Sequence, residues 1–494
     1  MSENFLATRR GKLTLLLLCA VAFMDFVDAS IVNVALPSIR HDLHFSVQGL
    51  QWVPSAYLLT YGGFMLLGGR AADLLGRRRV LVAGTLVIGI ASLIGGFAPN
   101  SGVLIGARLA QGFGAALMLP SALSALTTSF REGSDRHTAL GVWAAVAGLS
   151  SAAGVLAGGL LTQGPGWRWV MFVNPIACVL LLAPIFRLIR SEQRTAKAAD
   201  FDFPGAAAAT GGMLLLVFAL VKAPDQGWGS ARTIGELIGA AVILAAFTLN
   251  ELRSRHPLLP MSIFRVRGLA AADATQFIAF AGFVTMFFFV TLYMQNVLGY
   301  SPIKAGLAYL PLCFAVGFAA TAAGQLLSRV GTRPLIIVGA IVTAGGVYWL
   351  SRIPVHGSFL TDLLPGMLVM SVGIGAMFVA VATAANAGVR PDQAGLAAAL
   401  LNSAQQVGGA LGLAVLSAIA TARTSSLIAA HTSPPAALTA GFGRALLAGS
   451  IALAASAIIA VWVANTREQA DAGPVNPSER GDHAAVAREP DRAV

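Results

Sequence analysis

The sequence predicts an all-α membrane protein of fourteen transmembrane helices, built as two six-helix pseudo-repeats with two inserted helices between them. Three observations carry that prediction: a composition outside the soluble range, a regular succession of long apolar runs, and glycine patterns that recur at one offset. Of the 494 residues, 56% are hydrophobic and 11% charged, with a mean hydropathy of +0.75. Soluble domains average roughly 45–50% apolar and ~25% charged residues. The net charge of +11 raises nucleic acid as a partner. The basic residues, however, are scattered through short loops and form no basic face, so no nucleic acid is expected.

A helix needs about 20 mainly apolar residues to cross the hydrocarbon core. Runs of that kind fall at 13–36, 50–69, 80–98, 103–127, 138–162, 168–186, 204–222, 234–250, 268–297, 303–327, 334–351, 363–387, 395–421 and 441–463. The first follows basic residues, as a signal peptide would, but it continues into "IVNVALP" without a small-residue cleavage site and is read as a retained span. An even count puts both termini on one side, and the positive-inside rule makes that side cytoplasmic. Inner segments carry 24 Lys and Arg, outer loops carry 8, and Arg108 alone lies within a span. The expected organisation is a cytoplasmic N-terminus (1–12), an N-terminal six-helix bundle (13–190), a linker with two additional spans (191–267), a C-terminal six-helix bundle (268–463) and a cytoplasmic tail (464–494). That tail is polar, Pro-containing and poor in aromatics, which predicts disorder.

The pseudo-repeat rests on Gly69, Gly76 and Gly84, which match Gly324, Gly331 and Gly339 at an offset of 255, with Arg78 opposite Arg333. Gly154 and Gly158 recur as Gly408 and Gly412 at an offset of 254. The offset pairs spans 1–6 with spans 9–14. Parallel six-span repeats are one architecture of secondary transporters, whose halves rock around a midplane site. Gly-xxx-Gly pairs let helices approach closely.

Span 1 contains "MDFVDASIVNVALP", with Asp25 and Asp28 inside the bilayer region. An ionised carboxylate there costs roughly 2.5–3.5 kcal/mol on insertion scales, so intramembrane acids face a cavity and serve a relay. Spacing of i, i+3 sets both on one helix face, and two close carboxylates resist ionising together. The pair is expected to carry a proton. Arg108 in span 4 needs a buried partner, and the span 1 acids have the opposite sign. Gln111 lies one turn on. Aligning Gly112 and Gly114 with Gly373 and Gly375 sets Val369 opposite Arg108, so the coupling charge is expected to be concentrated in the N-terminal half.

Between spans 2 and 3 stands "GRAADLLGRRR", residues 69–79. Arg77, Arg78 and Arg79 anchor orientation. Asp73, after Gly69 and before Gly76, is placed to accept from backbone N–H groups at a helix start or to latch onto a basic residue of the other half, closing an inner gate. For the substrate, the sequence offers Trp52, Tyr57, Tyr61, Gln111 and Met118 in the first half. In the second it offers Phe287, Phe288, Tyr293, Gln295, Asn402, Gln405 and Gln406. Glu236 and Asp273 lie near span ends, which argues against a site for multivalent cations. His41 and His44 with Asp42 in "RHDLH" read as a solvated loop, and no metal is expected. Cys19, Cys178 and Cys313 sit far apart in apolar runs and read as packing thiols. No Walker A pattern, nucleophile motif or long soluble segment occurs, so neither an enzyme nor a cofactor is expected.

Taken together, these motifs resemble the major facilitator superfamily, and its fourteen-span drug:proton antiporter branch in particular. "GRAADLLGRRR" looks like its loop 2–3 motif, "DASIVNVALP" its span 1 motif, "RLAQGFGAA" its span 4 motif and "GVLAGG" (154–159) its span 5 antiporter motif. "WRWVMFVNP" and "LNSAQQVGGALG" extend the likeness over nearly all of residues 10–465. Two positions depart from the pattern: Val155 stands where Pro is usual, and Ser30 where Thr is common.

The resemblance implies that Asp28 and Arg108 carry proton coupling, that Gly69, Asp73, Gly76 and Arg77 gate, and that Gly154, Gly158 and Gly159 belong to the span 5 device. Asp25 lies outside the family pattern and rests on the physical argument. The implied function is proton-coupled antiport that exports hydrophobic or amphipathic drug-like compounds by alternating access. One proton supplies about 2.3 kcal/mol per 100 mV of membrane potential. The alternative is a dedicated exporter of one endogenous metabolite, such as an antibiotic, amino acid or siderophore. Expected partners are a small-molecule substrate, protons and the lipid bilayer, with a monomeric protein in a bacterial cytoplasmic (inner) membrane. The Arg-heavy, Lys-poor and Ala-rich usage fits a GC-rich bacterial source.

Overall fold

Each predicted apolar run becomes a helix in the computed structural model, which describes residues 6, 8–130, 134–189, 203–254, 257, 261–266, 268–389 and 393–466. In chain order the helices are α1 (Arg9–Asp42), the single turn α2 (Val47–Leu50), α3 (Trp52–Leu75), α4 (Arg77–Gly96), α5 (Ser101–Ser129), α6 (Ser134–Gln163) and α7 (Arg168–Leu188). They continue as α8 (Phe203–Gln226), α9 (Ala231–Arg253), α10 (Leu269–Asn296), α11 (Pro302–Val330), α12 (Thr332–Leu350), α13 (Leu364–Asn386), α14 (Ala394–Ala429) and α15 (Pro434–Ile459). No strand occurs among the described residues. Eleven helices among those residues are long and apolar enough to cross a membrane by length and composition, and Ala207–Ala223 of α8 forms a shorter apolar segment.

Helix starts follow local chemistry. Asn100, Ser230 and Ser301 each accept, through the side chain, the backbone N–H three residues on, and Pro302 fills the first position of α11. Some boundaries differ from the sequence reading: the first span was expected to end at residue 36, yet α1 runs through Pro37 to Asp42, while α14 runs on past 421 to Ala429 and α15 starts at Pro434 instead of 441. A proline ring removes one backbone hydrogen bond, and the helix around it is packed against α6 and α7. The "RHDLH" segment is therefore largely the last turn of α1 and not a free loop. Asp42 there accepts from the Trp167 indole at 2.9 Å and pairs with Arg168, fastening α1 to the start of α7. Among the described residues no group of His, Cys, Asp and Glu is placed to hold a metal ion.

The pseudo-repeat is visible in how helices pair. α1 packs on α6, α3 on α5, α4 on α5 and α4 on α7; the same pattern returns as α10 on α14, α11 on α13, α12 on α13 and α12 on α15. Gly76 and Gly331 are each the single residue between two helices, at φ 93° and 86°, a backbone region that glycine enters without steric cost. Arg78 lies over the Phe186 ring near the end of α7, and Arg333 donates to the Val463 carbonyl just beyond α15, so each arginine ties to the end of its own half.

The contacts also correct one register. A Cβ on Gly84 would stand 2.7 Å from the Gly114 carbonyl oxygen, and one on Gly339 would stand 2.9 Å from that of Gly373. Gly114 therefore corresponds to Gly373, and the counterpart of Arg108 is Met367, not Val369. Burial agrees: Met367 is fully buried, whereas Val369 is 43% exposed.

The halves meet along two seams, α3 with α14 and α6 with α11. Ser403 donates to the Gly62 carbonyl at 3.0 Å on the first seam. On the second, Gly159 faces Ile303, and Gly306 faces the Val155 carbonyl. Gln295 of α10 reaches across to the Val34 carbonyl of α1 at 2.9 Å. The inserted helices α8 and α9 pack on each other, and α8 also lies on α3 and α14. Phe318, Phe97, Val179 and Leu180 turn most of their surface outward. Such a surface is a liability in water and suits a lipid solvent; the chain is a multi-pass membrane protein. Most of the tail expected to be disordered lies outside the described residues. At its start, Ala464 and Thr466 are held by Thr332.

Candidate functional site

Long helices carry the site because a turn or so of each brings one or two polar groups to a common point. Asp28 of α1 and Arg108 of α5 form an ion pair at 2.8 Å, with side chains 4% and 1% exposed. Burying two charges costs several kcal/mol each unless the remaining polar atoms are satisfied. Here they are. Arg108 also donates to the Gln111 side-chain carbonyl at 3.0 Å and to the Val53 backbone carbonyl at 3.1 Å, and its guanidinium lies 4.3 Å from the Tyr57 ring centre. The second Asp28 oxygen accepts from the Asn174 amide of α7, with the Gln111 amide 3.4 Å away. Ser92 of α4 accepts from Gln111 at 2.6 Å. Five helices thus converge on one carboxylate and one guanidinium.

Asp25 sits one turn before Asp28 and is 2% exposed. Its two oxygens accept from the hydroxyls of Tyr57 at 3.1 Å and Tyr61 at 3.0 Å. The two rings meet edge to face at 5.5 Å. Tyr57 therefore touches both acids' surroundings: its hydroxyl holds Asp25, and its face holds Arg108. The i, i+3 spacing places the acids side by side, and the structure gives each a different set of donors.

Sequence reasoning missed Asn174, Ser92 and the part of Val53. Asn174 carried a signal, being a lone amide inside an apolar run and part of "WRWVMFVNP". The same stretch supplies Trp167 and Arg168 to Asp42, so it meets α1 at two levels. Asn174→Leu is expected to lower stability by about 2 kcal/mol, the value of a hydrogen bond to a charged group, seen as a reduced melting temperature in detergent. An unchanged melting temperature would mean that Asp28 does not depend on that donor.

The residues expected to gate occupy several contacts. Arg77 donates to Ser124 at 2.7 Å and Thr128 at 3.1 Å, fixing the start of α4 to the end of α5. Gly76 forms the turn described above. A Cβ on Gly69 would meet only Pro120, at 3.9 Å, so this arrangement does not demand glycine there. Gly154 and Gly158 face α1, the latter leaving 2.5 Å between a Cβ and the Ile31 carbonyl oxygen, while Gly159 faces α11 of the other half. The side chain of Asp73 lies outside the described residues.

The residues expected to line a substrate pocket divide among several places. Tyr57, Tyr61 and Gln111 belong to the acid cluster. Met118 is buried between α5 and α4 against Gly84. Trp52 packs near Phe218 of α8, with ring centres 6.4 Å apart. Phe287 stacks on Tyr309 and Phe288 meets Phe289. The Tyr293 hydroxyl donates to the Pro354 carbonyl at 2.6 Å. Asn402 donates to the Ala398 carbonyl at 2.9 Å, and Gln405 accepts from Gln276 at 3.2 Å. Gln406 stands at Gly62 on the α3–α14 seam, with its buried carbonyl oxygen unpartnered. Of the two acids expected near span ends, Glu236 pairs with Arg232 at 3.0 Å. Asp273 is instead 7% exposed, with neither oxygen partnered.

The family model described as Major Facilitator Superfamily matches residues 18–413. The chain is 40% identical over 431 residues to the puromycin resistance protein pur8 of Streptomyces alboniger, covering 86% of this chain and 85% of that one. It is 37% identical over 457 residues to the cephamycin export protein CmcT of Amycolatopsis lactamdurans, 92% of each chain. The lincomycin resistance protein of Streptomyces lincolnensis is 35% identical over 415 residues, 83% of this chain and 84% of that one. In fold it is similar to a bacterial homologue of the human lysosomal transporter Spinster, solved inward-facing and occupied, with a TM-score of 0.67 and 17% identity over 92% of this chain and 97% of that one. Motifs in order, paired helices in two matching sets and a family model spanning most of the sequence lead to one conclusion: the chain belongs to the Major Facilitator Superfamily.

Proposed function

We propose that this protein is a proton-coupled antiporter that exports hydrophobic or amphipathic drug-like compounds across a bacterial cytoplasmic membrane. In this reading fourteen helices span the bilayer, both termini face the cytoplasm, and the protein works as a monomer and not as an enzyme. The helices α1 and α3–α7 rock against α10–α15. The observation that carries the reading is the Asp28–Arg108 pair, buried and hydrogen-bonded within one half. Protonating Asp28 removes the negative partner of a guanidinium that already shares one nitrogen with Gln111. Arg108 then shifts its bonding toward Gln111, the Val53 carbonyl and the Tyr57 face. That shift moves α5 relative to α1 and α3 and biases the two access states. Asp25 is the second proton position, held by phenol hydroxyls that donate to its charged form and re-orient when it is neutral. Gly69, Asp73, Gly76 and Arg77 close the inner end.

The names of the relatives support export of antibiotics and related compounds. They also favour a second reading, a dedicated exporter of one endogenous metabolite, because each of the three named above is described by a single antibiotic.

The test is dye accumulation and drug susceptibility in a pump-deficient bacterium, with and without a protonophore. The antiport reading expects lowered accumulation of several unrelated lipophilic compounds, restored to the control level by the protonophore. A single responsive compound among many favours the dedicated exporter. Efflux that persists in the protonophore sinks proton coupling.

A further inference from the structure

At the end of the bundle opposite the start of α1, a cavity of about 350 Å³ opens between the two halves, apart from the Asp28–Arg108 cluster. The first half contributes Arg40, in the last turn of α1, with Ser46 and Gln48 beside it. The second contributes one face of α14, where Ser417, Thr421, Thr424 and Ser425 recur at helical spacing and form a single hydroxyl-bearing stripe. Phe288 and Phe289 of α10 and Phe442 of α15 make the aromatic wall, with the Phe289 and Phe442 rings 5.2 Å apart.

Two polar groups here lack the partners that their positions call for. Among the described residues the Arg40 guanidinium has no hydrogen bond or ion pair, since the nearby Asp42 is taken by Arg168. A positive charge at a helix C-terminus complements the carbonyl dipoles. That accounts for a cation at the end of α1; of the stripe across the cavity, Thr424 donates to the Ala437 carbonyl of α15 at 3.3 Å, and Ser417 is left unexplained. Ser417 is 2% exposed, and its hydroxyl has no partner. Many buried helical hydroxyls bond back to the carbonyl four residues earlier, as Thr85, Ser121, Ser150 and Ser371 do, while Ser55, Thr162, Thr210 and Thr285 are buried without a partner and line no part of this cavity. Ser417, also unpartnered, does line it. A buried donor without a partner is the group that a ligand oxygen would satisfy.

We propose that this cavity binds an amphipathic organic oxyanion, its carboxylate or phosphate seated on Arg40 and the α14 hydroxyls and its apolar body against the three phenylalanines. Few convergent polar groups over an aromatic floor are what such a ligand needs. The same chemistry comes from two sources, a soluble organic acid leaving the transporter or the headgroup of an anionic lipid. Because both halves hold the ligand, occupancy favours the arrangement seen here, with the halves joined at this end. The test reads binding and not transport, so it stands apart from the export reading.

Full-length protein in phosphatidylcholine nanodiscs is titrated by calorimetry with 1-naphthylacetate and with its uncharged twin 1-naphthylacetamide. The acid is expected to bind saturably and about tenfold tighter than the amide, the ratio that one charge-assisted hydrogen bond supports. Arg40→Gln should remove that advantage without changing the melting temperature, Arg40→Lys should keep part of it, and Ser417→Ala should weaken the acid alone. Nanodiscs containing phosphatidylglycerol separate the sources: an acid signal lost there identifies the lipid headgroup as occupant, and a retained one identifies the soluble acid. Equal binding of acid and amide, no saturable binding by the wild type, or an Arg40→Gln protein that binds like the wild type overturns the proposal.

Discussion

Asp28→Asn is expected to abolish drug-driven proton release from everted vesicles and, in the same protein, to lower stability. The two effects have one origin. Arg108 is 1% exposed, and taking away its carboxylate leaves a buried charge uncompensated, a loss of about 3–5 kcal/mol. Loss of transport alone would therefore not distinguish a failed proton carrier from a misfolded protein. The double variant Asp28→Asn with Arg108→Gln separates them. Two neutral amides hydrogen-bond where the ion pair stood, so most of the melting temperature should return while proton release stays absent. A double variant no more stable than the single one would show that the unpaired guanidinium was not the cause. Proton release retained by Asp28→Asn would remove Asp28 from the coupling mechanism.

Gly112→Ala is expected to destabilise the protein by about 3 kcal/mol, at the upper end for adding a methyl group to a packed interior, and to impair transport beyond that loss. A Cβ at this position would fall inside van der Waals contact with the Tyr57 carbonyl oxygen and the Thr60 hydroxyl of α3. Thr60 there donates to the Leu109 carbonyl at 2.8 Å, so the two helices touch through polar backbone. The methyl group forces them apart at the level where Tyr57 joins Asp25 to Arg108. Gly106→Ala is the matched control, because nothing lies within 4 Å of a Cβ there. Thermal unfolding of both proteins, with efflux measured at equal expression, decides it. Equal behaviour of the two variants would show that α3 and α5 yield at Gly112 without consequence.

Helices and the ion pair were legible for the same reason: lipid has no polar groups to offer. Every span must be a long apolar run, and a lone Arg108 must find an acid, of which span 1 held two. What stayed hidden depends on the rotation of one helix against another, which no single helix's period encodes. Asn174 and Ser92 were ordinary polar residues until α7 and α4 were turned toward Asp28. Tyr57 and Tyr61, expected to meet substrate, spend their hydroxyls on Asp25 in this arrangement. The register of span 12 was misjudged because Gly-x-Gly fits span 4 at two settings. Only the face that meets α12, through Gly373 and not Gly375, chooses between them. The end of α1 was placed early because the expected span covered only the apolar run, whereas the last turn of the helix carries the polar Arg40 and Asp42.

The inserted helix α8 lies on both α3 and α14, with Thr210 against Gly63 and Val221 receiving the Gln48 amide. Among the described residues neither inserted helix packs on α6 or α11; α1 is the helix that touches both. A lipophilic molecule dissolved in the membrane therefore meets two unequal flanks. On one side a further helix stands between it and the junction of the halves; on the other the junction itself borders the lipid.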